Sequence, residues 1–272
     1  MKKLSRIILL IVCVIMLFSL ASCAGGFMSR VKVNSLVKKY GTPQAEITFD
    51  YTYNNDKMKV VYVYDLLLDK TPVTVINFIN LAESGYFNDV IINRYNSTYA
   101  YLQFGEYVYR AESSESDTYK YYENKKVPSI VGEFATNKYP EPKGGYAEFP
   151  KLALAMYHDE GTKYNDTASG SVIMRLPPQG SDSETLSYKN YAVFAYINSL
   201  SVSINGKDPV NYKNNMPAYL REQLAKTNTT QRTVYTADGT DSNKLSLYAT
   251  NIAVSVKILG DHDWSKLPKV VK

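Results

Sequence analysis

The chain has 272 residues, 45% of them hydrophobic and 21% charged, which excludes a disordered or collagen-like chain and a multi-span membrane protein. Basic residues number 31 against 26 acidic, and the basic count falls to 28 if a leader carrying Lys2, Lys3 and Arg6 is removed. That near-balance gives no support to nucleic-acid binding, and a chain this long can bury about 70% of its unfolded surface without needing cross-links.

Residues 1–22 read as a lipoprotein signal peptide. Lys2, Lys3 and Arg6 precede an apolar run from Ile7 to Phe18, whose length fits a secretory signal better than a full membrane span. The leader ends at Leu20-Ala21-Ser22-Cys23. This tetrapeptide resembles the lipobox of bacterial lipoproteins, which implies cleavage before Cys23 and acylation of its thiol. Two or more acyl chains would hold the domain at a membrane, because each buried methylene contributes about 0.8 kcal/mol. The second of the two cysteines, Cys13, lies within the leader, so the mature chain is expected to form no disulfide. Residues 23–44 read as a tether and lead-in, flexible around Gly25 and Gly26.

The body begins with alternation. Ala45 to Tyr53 and Lys59 to Tyr64 place apolar and polar residues in turn around Asn54-Asn55-Asp56-Lys57, a hairpin signal. Pro72 follows Thr71 and precedes Val75, Phe78, Ile79 and Ala82, which predicts a helix over 72–84 with Thr71 as N-cap and Gly85 as stop. Strands are expected at 90–94 and 98–104, then an elaborated polar loop through 108–145. Short apolar strands follow at 152–157, 171–176 and 191–197, with a loop at 177–183. Residues 198–245 hold one helical candidate at 217–225, and 247–259 closes the pattern with a strand. No linker divides this body, so one β-dominated domain is predicted. The 25 tyrosines suit half-buried strand positions, with the ring packed and the hydroxyl in water.

Familiar catalytic constellations are weak. The chain has two histidines, His158 and His262, neither near a second histidine or cysteine, so a zinc or iron site is not expected. A loose calcium site built from carboxylates stays compatible with the sequence. No Gly-x-Ser-x-Gly elbow occurs, and Gly206-Lys207 lacks a phosphate-cradling loop. No cofactor is expected.

The segment from Tyr64 to Asp89, Tyr-Asp-Leu-Leu-Leu-Asp-Lys-Thr-Pro through Glu-Ser-Gly-Tyr-Phe-Asn-Asp, resembles the region of cyclophilins that runs through their first helix. Ile92-Asn93-Arg94 stands where that family has Phe-His-Arg, and Gln103-Phe104-Gly105-Glu106 where it has Gln-Gly-Gly-Asp, with one extra residue between arginine and glutamine. Leu154-Ala155-Met156 resembles its Leu-Ser-Met strand, and Gly170-Ser171-Val172-Ile173-Met174 its Gly-Ser-Gln-Phe-Phe strand. Tyr191-Ala192-Val193-Phe194 resembles its His-x-Val-Phe strand, and Ile252-Ala253-Val254 its last strand. The likeness spans about 47–259.

This resemblance implies a mainly β fold, a closed eight-stranded barrel with two capping helices. The domain would occupy 45–260 with insertions near 108–148 and 198–245, followed by a tail at 261–272. It implies peptidyl-prolyl cis/trans isomerisation, with Arg94 as the donor that favours the twisted amide and Gln103 holding the substrate backbone. The pocket would be lined by Tyr99, Ala100, Tyr101, Met156, Tyr157, Val172, Ile173, Met174, Leu186 and Tyr191. Several of these depart from the family: Tyr99-Ala100-Tyr101 replaces its phenylalanine and methionine, Val172 its glutamine, Ile173 and Met174 its two phenylalanines, Leu186-Ser187 its tryptophan-leucine pair and Tyr191 its histidine. The expected partners are proline-containing segments of exported proteins and, through the lipid anchor, the extracytoplasmic face of a bacterial membrane. The alternative on the same barrel is a non-catalytic binding or scaffold lipoprotein that uses the tyrosine-rich insertion as its contact surface.

Overall fold

The expected hairpin forms from β1 (Gln44–Tyr53) and β2 (Asp56–Leu66), paired antiparallel from Gln44↔Asp65 to Tyr53↔Asp56. Ala45, Ile47, Phe49 and Tyr51 on one strand, and Met58, Val60, Tyr62, Tyr64 and Leu66 on the other, are buried on one face. Asn54 and Asn55 both adopt positive φ, the conformation that a tight two-residue hairpin turn demands and asparagine tolerates. The computed structural model describes residues 27–96, 99–110, 120–123, 127–158, 166–177, 187, 189–212, 230–235, 242–247 and 252–271. The leader with Cys13 and Cys23, the helical candidate at 217–225 and Leu186 lie outside them.

After the hairpin come α2 (Pro72–Glu83), β3 (Val90–Asn96), β4 (Tyr101–Arg110), β5 (Lys120–Glu123), β6 (Leu154–Met156), β7 (Val172–Arg175) and β8 (Val193–Ile204). Then follow β9 (Val210–Tyr212), β10 (Thr230–Tyr235), β11 (Ser242–Leu247) and β12 (Ala253–Leu259). Strands β4, β3, β12, β1, β2, β8, β6 and β7 pair in that order, and β7 pairs back onto β4. Every pair in the ring is antiparallel. The ring is therefore a closed eight-stranded barrel, which leaves none of its own strands as an edge.

The far half of β4 leaves the barrel to pair with β5; β10 runs parallel to β5 and β11 antiparallel to β10. The segment 108–148 thus contains the end of β4, β5 and a short 3-10 turn at Ala135–Asn137. The region from 198 onward also differs from expectation: β8 stays in the barrel as far as Met58↔Ile204 before turning into β9. Leu247 ends β11, and the closing strand starts at Ala253.

Helix α2 buries nine residues, Pro72 to Ile79 and Leu81, because the segment is apolar nearly all round. Phe78 is fully buried, its ring 4.9 Å from that of Phe194 and 5.2 Å from that of Phe87; such burial contributes about 2–3 kcal/mol. Inside the barrel Phe49 meets Tyr62 at 5.4 Å and Phe104 at 6.1 Å. Tyr62 and Tyr64 have no exposed surface, so these two tyrosines are core residues, not the half-buried ones that composition suggested.

The second described helix, α1 (Arg30–Tyr40), lies in the tether and lead-in segment, where sequence reading singled out no element. Ser29 Oγ accepts from Lys32 N at 3.4 Å, and Gly41 at φ 63° ends the helix. Its last residue, Tyr40, stacks on Trp264 at 5.2 Å. Trp264, Leu267 and Val270 are all buried, so the C-terminal residues fasten α1 to the barrel.

Candidate active site

The β3–β4 register builds the site. Ile92 pairs with Phe104 and Arg94 with Gln103, so β3 carries one extra residue, Asn93, between them. Without this bulge Arg94 would fall opposite Leu102 and point to the barrel interior; with it, Arg94 shares the outer face with Gln103. The one-residue excess between arginine and glutamine is taken up in this irregular pairing and in the turn before Tyr101, where Ala100 has positive φ. Asn93 is buried, its Oδ1 without a hydrogen-bond partner.

Cross-strand pairing extends that face. Gln103 faces Ile173, Ile173 faces Ala155, and Ala155 faces Val193. One row along, Asn96 faces Tyr101 and Tyr101 faces Arg175. Tyr101, Ile173, Ala155, Val193, Ala153, Ala147 and Phe149 form an apolar cluster of their own, with Leu67, Tyr157, Tyr191 and Tyr196 packed against it. Opposite pairs point the same way. Leu102, Met174, Leu154 and Ala195, together with Phe104, Val172 and Met156, therefore make the inner face and belong to the main core.

The structure thus brings together Arg94, Gln103, Tyr101, Ile173, Tyr157 and Tyr191 among the residues that sequence singled out. Met156, Val172 and Met174 are instead packed in the barrel interior, because strand alternation gives the outer positions to Ala155, Ser171 and Ile173. Ala100 also packs into the main core. Tyr99 is 38% exposed, its backbone N–H donating to Asn96 Oδ1 at 2.9 Å. Sequence reading missed Ser171, Ala155, Val193 and Phe149. Alternation within each strand separates the first three from their inward neighbours, but only the cross-strand register aligns them with Gln103; Phe149 comes from a loop and had no such signal.

Gln103 is 3% exposed, and its Nε2 donates to Ser171 Oγ at 2.8 Å while Oε1 has no partner. Ser171 therefore orients the amide. The Arg94 guanidinium lies 5.8 Å from the centre of the Tyr101 ring, within cation–π range. Among the described residues no carboxylate pairs with it. Beside the site, His158 is stacked on Phe134 at 4.9 Å, lies 5.2 Å from Tyr191 and donates from Nε2 to Asn190 O at 2.7 Å. Two glycines allow the strands to meet. A methyl group on Gly105, whose φ is 110°, would overlap the Gly170 carbonyl, and one on Gly170 would overlap the Tyr86 ring.

Behind this face α2 is fixed by a residue that sequence did not reveal. Glu133, 1% exposed, accepts from Val73 N at 3.0 Å with Oε1 and from Thr74 N at 2.7 Å with Oε2. Thr71 stands at the N-cap position, but its hydroxyl donates to Val193 O at 3.2 Å. The expected capping role therefore passes to Glu133. Burial pushes the Glu133 carboxyl up to about 7, opposed by the two N–H bonds and by hydrogen bonds from Thr74 and Tyr139. Asn77 Nδ2 donates to Ser169 O at 2.6 Å and so ties α2 to the residues that lead into Ser171.

The family described as cyclophilin type peptidyl-prolyl cis-trans isomerase/CLD matches residues 51–200, a stretch that contains the bulge, the Arg94–Gln103 pair and the strands of the outer face. The chain belongs to the cyclophilin-type peptidyl-prolyl cis/trans isomerases. Among solved structures it is similar to a cyclophilin type peptidyl-prolyl cis-trans isomerase of Cryptosporidium parvum (TM-score 0.41, 13% identity, 78% of this chain and 97% of that one). The same Cryptosporidium protein in the presence of the dipeptide Ala-Pro gives TM-score 0.37 at 12% identity over 76% of this chain and 98% of that one. The cyclophilin AquaCyp293 from Hirschia baltica gives 0.29 at 12% identity, covering 62% and 70%. No curated protein matches. As a cyclophilin the chain is a peptidyl-prolyl isomerase, and its family match covers the face just described.

Proposed function

We propose that this cyclophilin isomerises prolyl bonds of exported proteins at the outer face of a bacterial membrane, held there by acyl chains on Cys23, with Arg94 as its catalytic donor. The observation that supports the assignment is the bulge at Asn93, which pairs Arg94 with the buried Gln103 across β3 and β4.

Rotation about a prolyl bond meets a barrier of about 18–20 kcal/mol because the planar amide has partial double-bond character. Twisting the amide localises the lone pair on nitrogen, so a fixed cationic donor beside that nitrogen stabilises the twisted state more than the planar one. No nucleophile and no acid–base pair are required. Gln103, oriented by Ser171, offers one amide end to the substrate backbone, and the Tyr101–Ile173–Ala155 surface takes the ring. That surface is buried: Tyr101 is 5% exposed and Phe149 3%. A proline ring must therefore displace packed side chains as it enters, and turnover is expected to be slower than for an open pocket.

Two measurements test the proposal. Mass spectrometry of the protein extracted from membranes should show an acylated N-terminal Cys23; a mature chain still beginning at Met1 would refute the anchor. A protease-coupled isomerisation assay on the unlipidated chain from Ala24, run over several residues before proline, should show a rate above the uncatalysed one. Binding to prolyl segments with no acceleration on any peptide would refute the catalytic assignment of this face.

A further inference from the structure

The outer face carries a second guanidinium. Arg175 stands directly across from Tyr101, so the Tyr101 ring is flanked by Arg94, 5.8 Å from its centre, and by Arg175 as its cross-strand neighbour. Arg175 is half-buried, and its Nη1 donates to the Phe149 carbonyl; a guanidinium has five N–H donors, which leaves others available. Among the described residues no carboxylate pairs with Arg175 or with Arg94. The positions in register on this face are Arg94, Gln103, Ile173, Ala155, Val193, Asn96 and Tyr101, and none is acidic. A half-buried cation with no anion among the described residues is poorly compensated by them, and guanidinium geometry matches carboxylate in a bidentate way.

We propose that Arg175 forms a carboxylate-binding subsite next to the proline pocket, so that this cyclophilin prefers prolyl segments with a carboxylate within about three residues of the proline. The spacing supports this: Arg94 and Arg175 sit two strands and one side-chain row apart, on the order of 10 Å between backbones, which about three extended residues span. The proposal rests on the reading of this face as the substrate site. The carboxylate could belong to an Asp or Glu side chain or to a free chain end shortly after the proline.

The test measures catalysed exchange by NMR on acetylated, carboxamide-ended peptides with Glu, Gln or Lys at each of about three positions on either side of proline. A second set of peptides ends one, two or three residues after proline, each with either a free carboxylate or an amide. In the parent chain at low salt, at least one carboxylate-bearing peptide should exceed its neutral isostere roughly tenfold in kcat/KM, with Lys below Gln. That ratio should collapse toward one in Arg175→Gln, be partly restored in Arg175→Lys and fall with added salt. The two peptide sets tell a side-chain carboxylate from a chain end. A ratio of one at every position, or one that survives Arg175→Gln, would overturn the subsite. Should Arg175→Gln fail to fold, the ratio in the parent chain and its salt dependence decide the matter. Arg94→Ala on the neutral peptide tests the substrate face separately: a loss there with no carboxylate preference would sink the subsite alone.

Discussion

Replacing Glu133 by glutamine isolates the buried cap of α2. The carboxyl is pushed up to about 7 by burial, whereas the N–H groups of Val73 and Thr74 pull the other way. In the unfolded chain it titrates near 4.5, so between these values folding takes up a proton. Stability from this group is then fully present below about 4.5 and is lost as pH rises through about 7. A separation of about 2.5 units corresponds to about 3 kcal/mol, or on the order of 10 °C in Tm for a chain of this size. Thermal melts of the parent and Glu133→Gln from pH 4.5 to 8.5 provide the assay. Other groups titrate in both proteins, so the difference in Tm is the quantity to read, and the parent should lose ground to the variant as pH rises, most steeply midway between the two values, near pH 6, and levelling off above about 7. A parent that gains on the variant over the same range would mean that the helix N-terminus outweighs desolvation and holds the carboxylate ionised. A pH-independent difference would show that Glu133 does not titrate in this window at all.

Other perturbations address the frame of the site. Gly105→Ala, forced to a φ of 110° against the Gly170 carbonyl, should cost upwards of about 2 kcal/mol in denaturant melts; an unchanged midpoint would show that the strands can separate there. Trp264→Ala should lose about 3 kcal/mol and speed amide exchange over residues 30–40, because the ring holds Tyr40; unaltered exchange would mean that α1 is fixed by its other contacts. Ser171→Ala leaves the Gln103 amide unanchored and should raise KM more than it lowers kcat, with a stability loss of about 1–3 kcal/mol. A fall in kcat with KM unchanged would mean that Gln103 acts mainly in the transition state.

Alternation made the barrel legible, since Ala45 to Tyr53 and the shorter apolar runs carry a period that only one register can bury. The Pro72 helix was legible for the same local reason, whereas α1 was not: Val33, Leu36, Val37 and Tyr40 form a thin stripe whose partners, Trp264 and Leu267, lie more than two hundred residues away in sequence. Arg94 and Gln103 were reached through the resemblance, but their shared face depends on a bulge at Asn93 that no local pattern marks. Matching motifs letter by letter puts Val172 and Met174 in the pocket, whereas the β4–β7 register sets Ile173 opposite Gln103 and alternation adds Ser171. Glu133 was invisible because it lies in a stretch that reads as loop, and its partners, Val73 and Thr74, are about sixty residues earlier.

Arg94 is the residue to test first. In exchange-detected or protease-coupled isomerisation on a neutral prolyl peptide, Arg94→Ala should lower kcat/KM roughly a hundredfold, or about 3 kcal/mol of transition-state stabilisation by analogy with removal of one oxyanion-hole donor. Its Tm should stay within a degree or two, roughly, because the side chain is partly exposed and forms no ion pair among the described residues. Arg94→Ala that keeps the parent's activity would contradict the account.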